Sequence, residues 1–434
     1  MRITKIHLQN IGVFEDTTIV FPKKTDPNKA EIHILTGENG TGKSTVLYAL
    51  AAPFMEFSSN EEYNLNIYNR FRFYDLSSNL IVYADDEKLF ELNGENKANV
   101  NVYGTYHRSI LSEYTQALHE LNWHPRLIAQ RKFSLAAFAY SGSRVLEKHH
   151  LASIEEITVS PFKNAVSFNK TVDSTLITKW LANTITKESL ELRKNNNEKA
   201  ARYRLAISRI EQAVSLIIDE QIALELESDP LDVVVQFGDK LLNFDLLPDG
   251  LKSIISWIAD LLMRLDRIRW IDNTEVFDKS FFLFLDEIDI HLHPAWQRKV
   301  LPAIQKLFKN AQIFVSTHSP FVVGSVDGAC VHKLVLNEKG NSQAEPARRS
   351  EDGESYQFIL KEIFDVEEQF GVGTEEMLFE FRKTKSKILQ DQNYDKERFL
   401  KLAHDIAVQS VELRSIIGME LRQLSRIKQV DFSV

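Results

Sequence analysis

The sequence predicts an α/β fold with a mixed central sheet, on three observations. An apolar strand (Ile32, Ile34, Leu35) runs into the glycine-rich stretch "GENGTGKST", residues 37–45, and then into a helical run (Val46, Leu47, Leu50). Two late apolar strands, in "SFFLFLDEIDIHLHP" and "AQIFVSTHSP", end in polar tips. Helical periodicity fills much of the rest, which is the alternation expected of a sheet flanked by helices.

The glycine-rich stretch can do specific chemistry. Gly37, Gly40 and Gly42 permit backbone angles that turn successive N–H groups toward an anion at a helix N-terminus, where the helix dipole favours negative charge. The spacing G-x-x-x-x-G-K-[ST] is that of a phosphate-binding loop. It assigns nucleotide binding to Gly37, Glu38, Asn39, Gly40, Thr41, Gly42, Lys43, Ser44 and Thr45, with Lys43 reaching the β/γ-phosphates and Ser44 holding Mg²⁺. ATP and Mg²⁺ are therefore the expected cofactors.

Composition bounds the remainder. The chain has 434 residues, 44% hydrophobic and 26% charged, which is ordinary for a water-soluble globular protein. Its single cysteine, Cys330, excludes an intramolecular disulfide and fits a reducing compartment. With no secretory leader in "MRITKIHLQN" and no apolar run of about 18 residues, the expected location is the cytoplasm, away from membranes. A net charge of −9 argues against a general nucleic-acid coat.

Along the chain, residues 1–172 read as an N-terminal lobe: three strands before the loop, an antiparallel β subdomain over 63–104, a helix near 108–121 and a buried strand in "KFSLAAFAYSGSR". Residues 173–220 form a helical insertion, divided into two arms at "RKNNNEK". A C-terminal lobe over 221–340 holds three strands, the turn "LPDG" feeding an apolar helix, and the two late strands. A polar loop at 337–353 leads to a helical C-terminal region, 354–434, read as an assembly or partner surface. Its last helix is expected to run from Lys396 to about Lys428, placing Phe399, Leu402, Ala403, Ile406, Ile417, Leu421 and Leu424 at helical spacing.

The late strands complete the site. "FFLFLDE" delivers Asp286 and Glu287 at a strand C-terminus, where parallel sheets place catalytic groups. Asp286 would hold Mg²⁺ through water, Glu287 would polarise the attacking water, and His318 in "VSTHS" would face the γ-phosphate. Such catalysis is positioning and electrostatics.

The order GxxxxGKS (37–44), LPDG (247–250), FLFLDE (282–287), THS (317–319) resembles the ABC-type ATPase head in its RecF/SMC-related branch. "DEIDIHLHPAWQ" and "AQIFVSTHSPFVV" are similar to the OLD-type, AAA-like ATPases of prokaryotic defence systems. The resemblance implies an ATPase of anti-phage defence that forms a homodimer through an ATP sandwich, and a higher oligomer beyond it. It also implies a partner HNH nuclease, through which DNA would be contacted. Leu247, Asp249 and Gly250 would then cap the γ-phosphate in trans. Pro248 stands where the family carries a serine; it lacks both a hydroxyl and an N–H, so slow hydrolysis is expected. The glutamine that helps place Mg²⁺ has no counterpart after the buried strand, where Ser141, Gly142, Ser143 and Arg144 follow, and Gln130 precedes it. A RecF-like repair ATPase is the alternative. A nuclease in its own right is disfavoured, because no D-x-D pair follows His318. His291 and His293 fall at the dimer-facing turn, without an evident third metal ligand.

Overall fold

Parallel strands order the molecule. In the computed structural model, which describes residues 1–55, 77–95, 101–123, 131–142, 151, 153–351 and 353–432, one sheet gathers strands from distant parts of the chain. Its order is β14 (Ser342–Ala344), β13 (Cys330–Leu336), β3 (Glu31–Gly37), β12 (Gln312–Ser316), β11 (Phe282–Leu285) and β7 (Ala137–Tyr140). From β13 to β7 all neighbours are parallel; β14 and β15 (Arg348–Arg349) pair antiparallel with β13. The residues of β3, β7, β11 and β12 are buried throughout, which is why they read as continuous apolar runs. Parallel neighbours align their C-terminal ends, so the tips of β3, β11, β12 and β7 converge on one edge.

The first two strands belong elsewhere. β1 (Ile3–Ile11) and β2 (Phe14–Val20) join β4 (Ser78–Ala84), β5 (Glu87–Glu95) and β6 (Asn101–Tyr106) in an antiparallel sheet of order β2-β1-β4-β5-β6. Its alternation is legible along β1, where Ile6 and Leu8 are fully buried and Lys5 and His7 are less so. The expected strand at "RFRFYDL" lies outside the described residues. A third sheet, β10 (Lys240–Asn243), β9 (Leu231–Phe237) and β8 (Ile222–Ser228), is a short meander.

Two helices, Ser174–Arg193 and Asn197–Ile218, form the hairpin read at 173–220. Asp173 and Asn196 cap them, accepting from Leu176 N–H and Lys199 N–H, so the break at "KNN" is a capped turn. The following long helix, Asp249–Arg267, buries most of its residues. Fully buried Asp260 accepts from Arg264 Nε at 2.6 Å and from the Tyr140 hydroxyl at 2.8 Å. Arg264 also donates to the carbonyls of Pro161, Lys163 and Thr171, so the guanidinium charge is shared over several acceptors, while Asp260 Oδ1 is buried without a hydrogen-bond partner among the described residues.

A polar cluster lies toward the opposite end of the parallel sheet. Glu31 accepts from Arg2 Nε at 2.8 Å and from Gln312 Nε2 at 2.7 Å, and meets His33 Nε2 at 2.9 Å. His33 Nδ1 in turn lies 3.2 Å from His332 Nε2. Burial and the neighbouring imidazole push His332 down to about 3; burial is opposed at Glu31 by bonds from His33 and Arg2, which hold it at about 2. Cys330 is buried beside this cluster.

Residues Met1–Ile359 make up one unit and Leu360–Val434 a second. The second unit has its own core: Phe381 and Phe399 stack with centroids 5.0 Å apart among Leu378, Ala403, Ile406, Ile417, Leu421 and Leu424. The single helix expected over 396–428 is two, Lys396–Ala407 and Val411–Lys428. Ser410 ends the continuity: its side chain accepts from Leu413 N–H at 3.0 Å and caps the second helix.

Candidate functional site

β3 ends at Gly37 and the helix Lys43–Ala51 begins six residues later, so the loop between them lies at the convergent edge of the sheet. Gly42 occupies the N-cap position with φ 90°, and a Cβ there would stand 2.7 Å from the Phe14 ring. Only glycine satisfies both demands. Lys43 is mostly buried and donates from Nζ to the carbonyls of Gly37, at 3.0 Å, and Glu38, at 2.8 Å. Burial lowers its pKa, against the opposing pull of Asp286, Glu287 and Asp289. Thr41 fastens the loop through Oγ1 to the Glu38 carbonyl at 2.9 Å.

The carboxylates arrive from β11. Asp286 N–H donates to the Tyr140 carbonyl, extending the β11–β7 ladder by one bond beyond Leu285. Its Oδ1 accepts from Ser44 Oγ at 3.0 Å and from Ser316 Oγ at 2.5 Å. Ser44 and Asp286 are therefore brought together across 242 residues of chain. Glu287, with φ 50°, turns out of the strand in a left-handed conformation that side chains rarely adopt, and its N–H donates to Ser316 Oγ at 2.8 Å. Such a turn re-aims the side chain away from the sheet ladder.

His318 follows β12 and is partly buried. Burial and the Lys43 charge lower its pKa, and Asp289 and Asp286 oppose them. The imidazole is thus electrostatically coupled to the residues of both other motifs.

The remaining predicted residues lie one step away. Leu247 precedes the Asp249–Arg267 helix, whose N-cap residue is Pro248, without a side-chain cap bond. Asp249 pairs with Lys252 at 3.6 Å, while a Cβ on Gly250 would stand 2.6 Å from the His291 carbonyl oxygen. The helix start and the 288–293 turn are thus in direct contact. His293 Nδ1 accepts from Ala295 N–H at 3.2 Å, capping the helix Pro294–Leu307, and no group of three or more metal-ligating side chains occurs among the described residues. Gln130, Ser143 and Arg144 lie outside the described residues.

Sequence reasoning missed three participants. Ser316 holds Asp286 and Glu287 together, Gly142 abuts Glu287, and Asp289 reaches Thr317 Oγ1 at 2.6 Å. Position supplied the only signal for Ser316, which ends the strand before THS.

A parallel sheet whose strand tips unite a glycine-rich phosphate loop, a carboxylate pair and a histidine defines an ABC-type P-loop ATPase head with an added antiparallel β sheet, helical elements and C-terminal helices. By sequence the chain is similar to a retron probable ATPase and to the Septu protein PtuA. Residues 128–324 match a family described as "AAA domain, putative AbiEii toxin, Type IV TA system", and residues 1–89 match one described as "AAA domain". The retron Ec83 probable ATPase of Escherichia coli is 34% identical over 143 residues, 33% of this chain and 25% of that protein. Septu protein PtuA of Bacillus thuringiensis is 27% identical over 222 residues, 49% of this chain and 54% of the relative. PtuA of Bacillus mycoides is 25% identical over 369 residues, 83% of this chain and 44% of the relative. The matches thus span about half or less of these three relatives. A solved SMC head bound to the C-winged helix domain of ScpA overlays with a TM-score of 0.48 at 14% identity, covering 80% of this chain and 98% of that one.

Proposed function

We propose that this chain binds ATP with Mg²⁺ on residues 37–45, hydrolyses it slowly, and closes with a second copy around the nucleotide to control a separate HNH-type nuclease in anti-phage defence. The observation that carries the reading is the 3.0 Å bond between Ser44 Oγ and Asp286 Oδ1 beside Lys43. Two hard oxygen donors meeting next to a buried ammonium suit Mg²⁺ and a phosphate chain. When bound, the metal would neutralise phosphate charge and orient the γ-phosphoryl group.

Each residue has a role. Backbone N–H groups of Glu38 to Thr45 would surround the phosphates, and Lys43 would exchange the Gly37 and Glu38 carbonyls for phosphate oxygens. Glu287 would orient the attacking water, and His318 would contact the γ-phosphate. In a closed pair, Leu247, Asp249 and Gly250 would approach the partner copy's γ-phosphate with the uncapped helix N-terminus. Pro248 removes two donors from that cage, so turnover should be about 1 s⁻¹ or below.

The names of the relatives support the defence setting: retron ATPases and Septu proteins. The second unit, with Val411 and Met419 exposed on its last helix, would join heads into a larger assembly or receive the nuclease, which would make the DNA contact. Among the described residues no helix is long and apolar enough to cross a membrane.

Sedimentation of Glu287→Gln, with and without Mg·ATP, tests the pairing. Nucleotide should raise the mass of this slow-turnover variant. A mass indifferent to bound ATP would remove the sandwich from the account. Mixing the wild-type chain with the proposed HNH-type nuclease and following DNA cleavage with and without ATP tests the control: cleavage indifferent to ATP would refute it.

A further inference from the structure

The residues on either side of His318 are both fastened to the same turn. Thr317, fully buried, donates from Oγ1 to Asp289 Oδ1 at 2.6 Å, and its N–H donates to the Leu35 carbonyl at the end of β3. Ser319 donates from Oγ to Gln297 Oε1 at 2.5 Å. Gln297 Nε2 returns to the turn, donating to the carbonyls of Leu292 at 2.8 Å and Asp289 at 3.3 Å. Ser319 N–H also donates to Thr317 Oγ1 at 3.0 Å, closing the ring of bonds around the histidine backbone.

That turn has a second contact. His291, with φ 63°, directs its carbonyl oxygen at Gly250, the second residue of the Asp249–Arg267 helix. No side chain fits between them, because a Cβ on Gly250 would also stand 3.0 Å from the Trp296 ring. A displacement of the turn is therefore felt at both the histidine and the helix start.

We propose that Asp289 and Gln297 are positioning residues that clamp the backbone on both sides of His318 and tie it to the turn against Gly250. Asp289 supplies a charged acceptor, which makes its bond from Thr317 the stronger of the two anchors. Gln297, on the helix Pro294–Leu307, holds the other side and braces the turn through the bonds from its Nε2. Neither residue touches nucleotide in this account; both act through His318.

The kinetic consequences rest on the ATP-hydrolysing reading above, so the test carries a readout that does not. In the full chain with ¹³C-labelled histidines, the His318 ring signal, assigned by its loss in His318→Gln, should show slow-tumbling relaxation without nucleotide. Asp289→Ala should free the ring and lower its transverse relaxation rate about twofold or more, because a side chain on a released loop gains fast motion. At saturating ATP the same variant should lose about tenfold or more in kcat while its ATP Kd stays within about threefold, the pattern of a misplaced group rather than a lost ligand contact. Asp289→Asn keeps an acceptor for Thr317 and should restore both quantities most of the way. Thr317→Val removes the donor alone and gives the relaxation result independently if Asp289→Ala does not fold. An unchanged His318 relaxation in Asp289→Ala, or in Thr317→Val in its place, overturns the proposal. So does an Asp289→Asn as impaired as the alanine variant. A wild-type chain without turnover would instead refute the proposed function and leave the relaxation result to decide the clamp.

Discussion

Gly142 lies against Glu287. A Cβ at residue 142 would stand 2.9 Å from Glu287 Cβ, 3.0 Å from its Oε2 and 2.8 Å from Ile290 Cδ1. Gly142, two residues beyond the end of β7, therefore packs directly on the carboxylate side chain, in the segment where the family resemblance implies a glutamine. Gly142→Ala should push Glu287 off its position. We expect kcat to fall about tenfold or more, by the sensitivity of catalysis to small misplacement, with ATP affinity little changed. Steady-state hydrolysis at saturating ATP beside equilibrium binding checks this; a variant with wild-type kcat would show that Glu287 is not held from that side.

Pro248 offers a gain of function. It occupies the N-cap of the Asp249–Arg267 helix without a side-chain cap bond. Pro248→Ser would supply that cap, about 0.5–2 kcal/mol of stability at a typical site, less the chain entropy that proline had removed. It would also return a hydroxyl to the face that, in the proposed closed pair, would meet the partner's γ-phosphate. Turnover should rise and the melting temperature should not fall; unchanged turnover in a stable variant would count against the trans contact.

Acid should unfold the first unit through its histidine cluster. His332 is held at about 3, below its ordinary 6.5, and His33 is lowered as well by burial. The unfolded chain therefore binds protons that the folded chain refuses, so stability is present above about pH 6.5 and falls as pH drops toward 3. Glu31, held at about 2, adds a loss of the same sign below its ordinary 4.5. His332 alone contributes on the order of 1.4 kcal/mol per pH unit across its window. Urea unfolding at pH 7 and 5 measures it, and His332→Phe should lessen the slope; equal stability at both pH values would contradict the buried neutral pair.

The C-terminal unit should be separable from nucleotide binding. Truncation near Asp391 would strip Phe399, Ile417 and Leu424 from Phe381 and expose a broken core. A stop at Glu367 instead keeps the Tyr356–Phe364 helix and removes the helical core whole. The shortened chain should bind ATP as the full chain does and fail to assemble or to control the nuclease. Full assembly and ATP-dependent DNA cutting by the truncated protein would exclude the surface role.

How much of this was legible depended on range. The strand, loop and helix around residues 31–51 are local in sequence, and the apolar runs of β11 and β12 announce burial on both faces. Which strands pair is not local: β1 and β2 lead directly into β3 yet belong to another sheet, because alternation fixes a face and not a neighbour. The break at Ser410 was hidden by periodicity that continues across a capped turn. Gly142, Asp289 and Ser316 matter only through residues far away in the chain, and no spacing rule points to them.

The central claim is that Lys43 and its loop hold ATP. Lys43 gives two bonds to loop carbonyls, and its burial works against its charge, so removing it should cost the fold little. Calorimetric titration of Lys43→Ala with Mg·ATP, beside its thermal melt, is the direct measurement. The account predicts no detectable binding in a protein that melts within a few degrees of the wild type. ATP affinity equal to the wild type in the folded variant would contradict it.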